Sequence, residues 1–149
     1  MRYWEDLRVG DVYEFGPVEV REDEVIAFAS AYDPQPFHVD VEAAAEGPFG
    51  GLIASGWHTA GLFMGMYVRG LLHDTVSMGS PGVEQIRWLV PVRPGDLLSA
   101  RVRIVDSRPS SKNPRRGTIV SECEVLNQRG EVVMTLTARG LFGRREPAA

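Results

Sequence analysis

Sulfur chemistry has little to work with in this chain: its 149 residues include one cysteine, Cys123. That excludes an intramolecular disulfide and a zinc cage built from thiolates. Cys123 falls in an alternating apolar run, where a core filler is expected rather than a nucleophile. Long apolar runs are missing as well. No stretch of about 18 apolar residues exists that would span a bilayer as a helix, so a membrane protein is not expected. Positive charge is not in excess: 16 Lys and Arg stand against 20 Asp and Glu, a formal net charge of −4. That balance gives no general attraction to nucleic acid, and no aromatic and basic stacking strip offsets it. The segment Met1 to Asp11 is charged and aromatic, without the apolar core of a secretory signal, so the expected address is cytoplasmic.

What is present suits one domain across residues 1–149, with an ordered core over about 4–142 and a short frayed tail from Arg144 to Ala149. Arg108, Lys112, Arg115 and Arg116 form a local basic cluster. It reads first as a solvated loop, with ligand phosphates as the alternative occupant.

Alternation from Asp11 to Phe15, resuming at Val18 and Val20, predicts a first strand interrupted near Gly16 and Pro17. Arg21 to Glu24 then opens a helix, with acidic residues in its first turn. Val25, Ile26, Phe28, Ala29 and Tyr32 recur at helical spacing up to the breaker Pro34, so this helix delivers Asp33 at its end. Residues Pro34 to Gly51 read as shaped loop around a small helical turn, Val41 to Ala45. From about Ser55 to Leu72 the pattern is that of a long buried helix. Its Gly56, Gly61, Gly65 and Gly70 are explained by close approach of strands or a ligand. Four strand-like runs follow, Val83 to Val92, Leu97 to Ser107, Thr118 to Leu126 and Glu131 to Leu141, in the order of an antiparallel meander. The plan is α+β, one long helix on a curved antiparallel sheet. Tyr3, Trp4, Phe15, Trp57 and Trp88 are each expected in a core before an interface.

Chemistry concentrates in Ala31-Tyr32-Asp33-Pro34-Gln35-Pro36-Phe37-His38, where two prolines fix the backbone between a carboxylate and an imidazole. Groups so held can divide acid and base work on one substrate. The residues alone equally allow Asp33 to cap the turn and His38 to satisfy a nearby backbone group. Ser55-Gly56 stands where the long helix starts, so Ser55 can cap and the Gly56 N–H can point outward to a developing anion. A thioester carbonyl there would be polarised toward an enolate, as addition or loss of water at the neighbouring carbons requires. An ordinary helix cap with close packing is the plainer alternative.

The string from Tyr32 to His38, followed by Pro48-Phe49-Gly50-Gly51-Leu52-Ile53-Ala54-Ser55-Gly56, resembles the MaoC-like, (R)-specific enoyl-CoA hydratase family. So does Trp88-Leu89-Val90-Pro91-Val92-Arg93-Pro94-Gly95-Asp96-Leu97, and the three segments agree in order and spacing over roughly Trp4 to Phe142. The resemblance implies a hotdog fold, its sheet wrapped around the long helix, and a homodimer or higher oligomer with acyl channels at the subunit interfaces. It implies reversible hydration of a trans-2-enoyl-CoA, or dehydration of a 3-hydroxyacyl-CoA. Asp33 and His38 match the catalytic pair, and Gly56 the glycine whose N–H meets the thioester oxygen. Ser55, Tyr32, Gln35, Phe37, Trp57 and His58 are expected around the substrate. For His58 a histidine satisfied at an interface is the other reading. Coenzyme A or a carrier-protein pantetheine would carry the acyl group, with no metal or redox cofactor.

This chain departs from the family motif at Tyr32, where glycine is usual, and at Gln35, where asparagine is usual. The pocket or the geometry of the pair is therefore expected to differ from a simple crotonyl-type hydratase. Two other functions stay open. A hotdog thioesterase needs a carboxylate on or beside the long helix, and Ser55 to Leu72 contains no Asp or Glu. A non-catalytic acyl-CoA-binding subunit gains from the changes at Tyr32 and Gln35.

Overall fold

The computed structural model describes residues 1–145. Five strands, β1 Val12–Glu19, β2 Gly82–Trp88, β3 Leu97–Pro109, β4 Arg116–Leu126 and β5 Val132–Gly143, form one antiparallel sheet in the order β1-β3-β4-β5-β2. Alternation along β3 sends Leu98, Ala100, Val102 and Ile104 into the core. On β4 and β5 the same core receives Ile119, Cys123, Val125, Met134 and Leu136. The intervening Arg101, Arg103, Glu122 and Glu124 face solvent and pair across the strands. Burial pushes the Cys123 thiol up to about 12, as suits a core filler.

The meander holds only for β3, β4 and β5. β2 pairs with β5 at the sheet edge, not with its successor β3. The ladder closes with the Leu89 N–H donating to the Val133 carbonyl at 2.8 Å; Pro91 and Pro94 offer no N–H to continue it, and the chain runs on to the end of β1. There the Val20 N–H donates to the Asp96 carbonyl at 2.8 Å and the Gly95 N–H to the Val20 carbonyl at 2.7 Å. β1 is interrupted where its residues suggest, with a register shift between Phe15 and Val18.

Four helices complete the chain: α1 Glu22–Tyr32, α2 Pro36–Val39, α3 Val41–Glu46 and α4 Gly56–Gly70. The short α2 occupies part of the expected loop, with Pro36 in its first turn, where a missing N–H costs nothing. α4 packs on the sheet through core residues that include Phe63, Met66 and Tyr67. It is not buried all round: Trp57, Met64 and Val68, which share one stripe with Gly61, are 57%, 46% and 38% exposed. The helical glycines divide accordingly. A Cβ at Gly56 would strike the Trp88 ring and one at Gly70 the Phe15 ring, whereas Gly61 faces open space and Gly65 only the Arg69 side chain.

Trp4 and Phe15 pack against the core as expected. Trp57 and Trp88 do not, because one stands on the open stripe of α4 and the other on the edge strand. Nor does the chain fray at Arg144. The N-terminal turn Trp4–Asp6 offers carboxylates and rings to the chain end: Arg144 lies over Trp4, and Arg145 pairs with Asp6 at 2.6 Å and lies over Tyr3. Residues 146–149 of the expected tail lie outside the described residues.

Candidate active site

α1 stops at Tyr32 because Pro34 cannot continue it, and Asp33 remains attached through its N–H to the Ala29 carbonyl at 2.8 Å. α2 then folds the chain back, so that buried His38 presents Nε2 to Asp33 Oδ2 at 3.3 Å. His38 Nδ1 lies 2.7 Å from the Ile53 carbonyl. A carbonyl only accepts, so Nδ1 carries a proton and Nε2 is the nitrogen turned to the carboxylate.

Asp33 is held from two further sides. The Gln35 amide donates to Oδ1 at 2.8 Å and the Ser55 hydroxyl to Oδ2 at 2.7 Å. These two bonds, Gln35 first and Ser55 second, outweigh desolvation and hold the Asp33 carboxyl below its usual pKa. Asp33 is thus a carboxylate at neutral pH.

Ser55 also caps α4, its oxygen accepting from the Trp57 N–H at 3.3 Å. Gly56 is the first residue of that 15-residue helix. Among the described residues its N–H meets no acceptor, so it lies free at the positive end of the helix dipole. A cleft of about 350 Å³ opens there, lined among others by His38, Phe49, Gly56, Thr59, Trp88 and Leu89. The opening thus presents an imidazole backed by the Asp33 carboxylate and, beside it, a free N–H at a helix N-terminus.

The structure thus brings together Asp33, His38, Ser55, Gln35 and Gly56. Phe37 supports His38 from behind, edge-on at 4.6 Å, with Phe49 against it at 5.2 Å. None of the six expected substrate neighbours lines this cleft: Ser55, Gln35 and Phe37 act on Asp33 and His38, and the other three point elsewhere. Tyr32, 75% exposed, turns outward onto Phe28, so its bulk does not crowd Asp33. Trp57 follows the open stripe of α4. His58 points to α1 and stacks on Phe28 at 4.9 Å and 12°, its buried Nδ1 without a partner. Burial lowers its pKa. The basic cluster at Arg108 to Arg116 sits on the β3–β4 hairpin, which pairs with the Gly143 end of β5. The cleft is at the other end, where Trp88 pairs with Met134.

Phe49, Thr59, Trp88 and Leu89 line the cleft without having been singled out for it. Thr59 lies one helical turn beyond Ser55, and Trp88 and Leu89 come just before the proline that ends the ladder, which are the available signals. Among the described residues no group of three or more His, Cys, Asp or Glu could hold a metal ion, and no helix is long and apolar enough to cross a membrane.

A long helix laid on this five-stranded sheet, with its N-terminus at an Asp and His pair, defines a hotdog-fold protein. The chain belongs to the MaoC-like domain family, whose model matches residues 6–125. The MaoC-like dehydratase of Rhodospirillum rubrum superposes with a TM-score of 0.89 at 40% identity, over 99% of this chain and 100% of that one. The (R)-hydratase of A. caviae involved in PHA biosynthesis does so with a TM-score of 0.73 at 26% identity, over 91% and 97%. In sequence, 3-hydroxybutyryl-CoA dehydratase of Methylorubrum extorquens is 30% identical over 83% of this chain and 74% of its own length. The uncharacterised protein YdeM of Bacillus subtilis is 29% identical over 84% of this chain and 87% of its own length.

Proposed function

We propose that the protein is an acyl-thioester hydro-lyase that reversibly hydrates a trans-2-enoyl-CoA, acting as a homodimer in the cytoplasm. The observation that carries this reading is the 3.3 Å contact between His38 Nε2 and Asp33 Oδ2 at the cleft where the Gly56 N–H is free. In the hydration direction the thioester oxygen takes the Gly56 N–H. Asp33 removes a proton from water as the water oxygen bonds to C3, and the C2–C3 π pair moves onto the thioester as an enolate. That proton passes from Asp33 to His38 Nε2, 3.3 Å away, and from Nε2 to C2 as the enolate collapses, so that carboxylate and imidazole end as they began. One water is consumed and no other reagent is needed. Gln35 suits this role, since its amide reaches Oδ1 and leaves Oδ2 turned to His38 Nε2.

The homodimer rests on surface physics. β2 leaves one edge unpaired, and Val83, Trp88 and Leu89 beside it join the open stripe of α4 in an exposed apolar surface. A second copy brings the same edge and stripe, as a twofold interface requires.

A thioesterase reading draws on one observation: Asp33, though not on α4, is bonded to Ser55 at its first turn. One assay separates the two. Loss of the enoyl-thioester absorbance without thiol release, abolished in Asp33→Asn and His38→Ala, is the result expected. Thiol release with the enoyl band intact would establish hydrolysis instead, and tight acyl-CoA binding without either signal a binding subunit.

A further inference from the structure

Trp88 meets Gly56 more closely than any ordinary side chain at position 56 would allow. Its indole Nε1–H donates to the Gly56 carbonyl at 2.9 Å, and a Cβ built on Gly56 would lie 2.3 Å from the ring. The indole also stands edge-on to Trp57, with ring centres 5.1 Å apart. From the other side, the Ser55 oxygen takes the N–H of the Gly56–Trp57 peptide at 3.3 Å while its proton goes to Asp33. That peptide is therefore fixed at both ends, its N–H by Ser55 and its carbonyl by Trp88. The Ser55–Gly56 peptide that carries the Gly56 N–H is held at its carbonyl by the His58 N–H at 2.9 Å, leaving the two anchors on either side of Gly56 to set the direction of that N–H. Glycine is the residue with the most backbone freedom, so a donor N–H carried on glycine needs such external restraint to keep its aim.

We propose that Trp88 is a positioning residue: by pinning the Gly56 carbonyl and covering its Cα, it holds the Gly56 N–H on the thioester oxygen. This rests on the hydro-lyase reading and adds to it a residue from the edge strand, 32 positions away. The bond is made to a neutral carbonyl that takes no part in the proton transfers. Trp88 accordingly acts on the enolate-like transition state, where charge on the thioester oxygen is greatest, and little on ground-state binding.

The test is steady-state hydration of a trans-2-enoyl-CoA by the full chain and by Trp88→Phe, Trp88→Ala, Gly56→Ala and the double variant Gly56→Ala/Trp88→Ala, with circular dichroism confirming the fold. Trp88→Phe keeps a ring against Gly56 and loses the N–H bond. It is expected to lower kcat by about tenfold, a hydrogen bond's worth, with KM within about twofold. Trp88→Ala lowers kcat further, by roughly 30- to 100-fold. Gly56→Ala loses roughly 100-fold or more because ring and methyl compete for one space. Removing the ring gives the methyl room, so the double variant should match Trp88→Ala rather than multiply the losses. An unchanged kcat in Trp88→Phe, or losses that multiply in the double variant, overturns the assignment while leaving the hydro-lyase reading intact. A wild type that hydrates no enoyl thioester overturns both.

Discussion

The Ser55 hydroxyl donates to Asp33 Oδ2 at 2.7 Å and thereby ties the end of α1 to the first turn of α4. One side chain thus serves as helix cap and as partner to the candidate base. Removing it tests both roles at once.

In Ser55→Ala the Asp33 carboxylate keeps Gln35 and loses the bond from the Ser55 hydroxyl. Its titration, followed by the side-chain carbon resonance, should move up from its depressed position toward the ordinary value of 3.8. The linkage has a definite sign. A depressed carboxyl contributes stability that is present above its unfolded pKa and lost as pH falls through the folded one. Ser55→Ala should therefore lose stability at neutral pH, by about 1 kcal/mol through the cap alone, and show less further loss on acidification. An unmoved Asp33 titration would deny that Ser55 tunes it.

His58 gives a pH dependence in a different window. Burial beneath Phe28 lowers its pKa from 6.5, so protonation favours the unfolded chain. Stability from this group is complete above about 6.5 and declines as pH falls from there toward the folded value. Glu24 is the charged group that opposes the shift. His58→Phe retains an aromatic stack on Phe28 and removes the titration. Urea unfolding between about pH 7 and pH 5 should then show a flatter profile than the wild type. Equal slopes would place the acid sensitivity elsewhere.

Two glycines of α4 should respond oppositely to alanine. Gly70→Ala drives a methyl into the Phe15 ring, 2.1 Å away, and is expected to cost about 1–3 kcal/mol. Gly61→Ala meets nothing within 4 Å and should stabilise an isolated chain by up to about 1 kcal/mol through helix propensity. Gly61 shares its stripe with Trp57, Met64 and Val68. A second copy seated there would feel the added methyl as a weakened dimer in sedimentation analysis. A Gly61→Ala protein with unchanged association would remove this stripe from the proposed interface.

The elements legible in the sequence were those encoded locally. Helical spacing marks α1 and α4, and alternation marks β3 to β5. The prolines between Asp33 and His38 single out that pair, and Ser55 precedes α4 as a cap should. What escaped depends on contacts across the fold. β2 leaves its sequence neighbour for β5, a choice made by long-range pairing. Tyr32, Trp57 and His58 fall outside the cleft because the rotational setting of α1 and α4 is decided by their mutual packing at Phe28 and by the open stripe. α2 was hidden by Pro36, which punctuates a loop and starts a helix equally well. Arg144 and Arg145 look like a loose end until Trp4 and Asp6 are placed beside them.

The acceptor that orients His38 is the carbonyl of Ile53, part of the main chain. No substitution at position 53 deletes that oxygen, so the imidazole tautomer is set by the route of the backbone between α3 and α4 rather than by any side chain's identity. Exchanging apolar side chains there leaves that acceptor in the chain, whereas an insertion or deletion in the segment would displace it without altering His38 or Asp33.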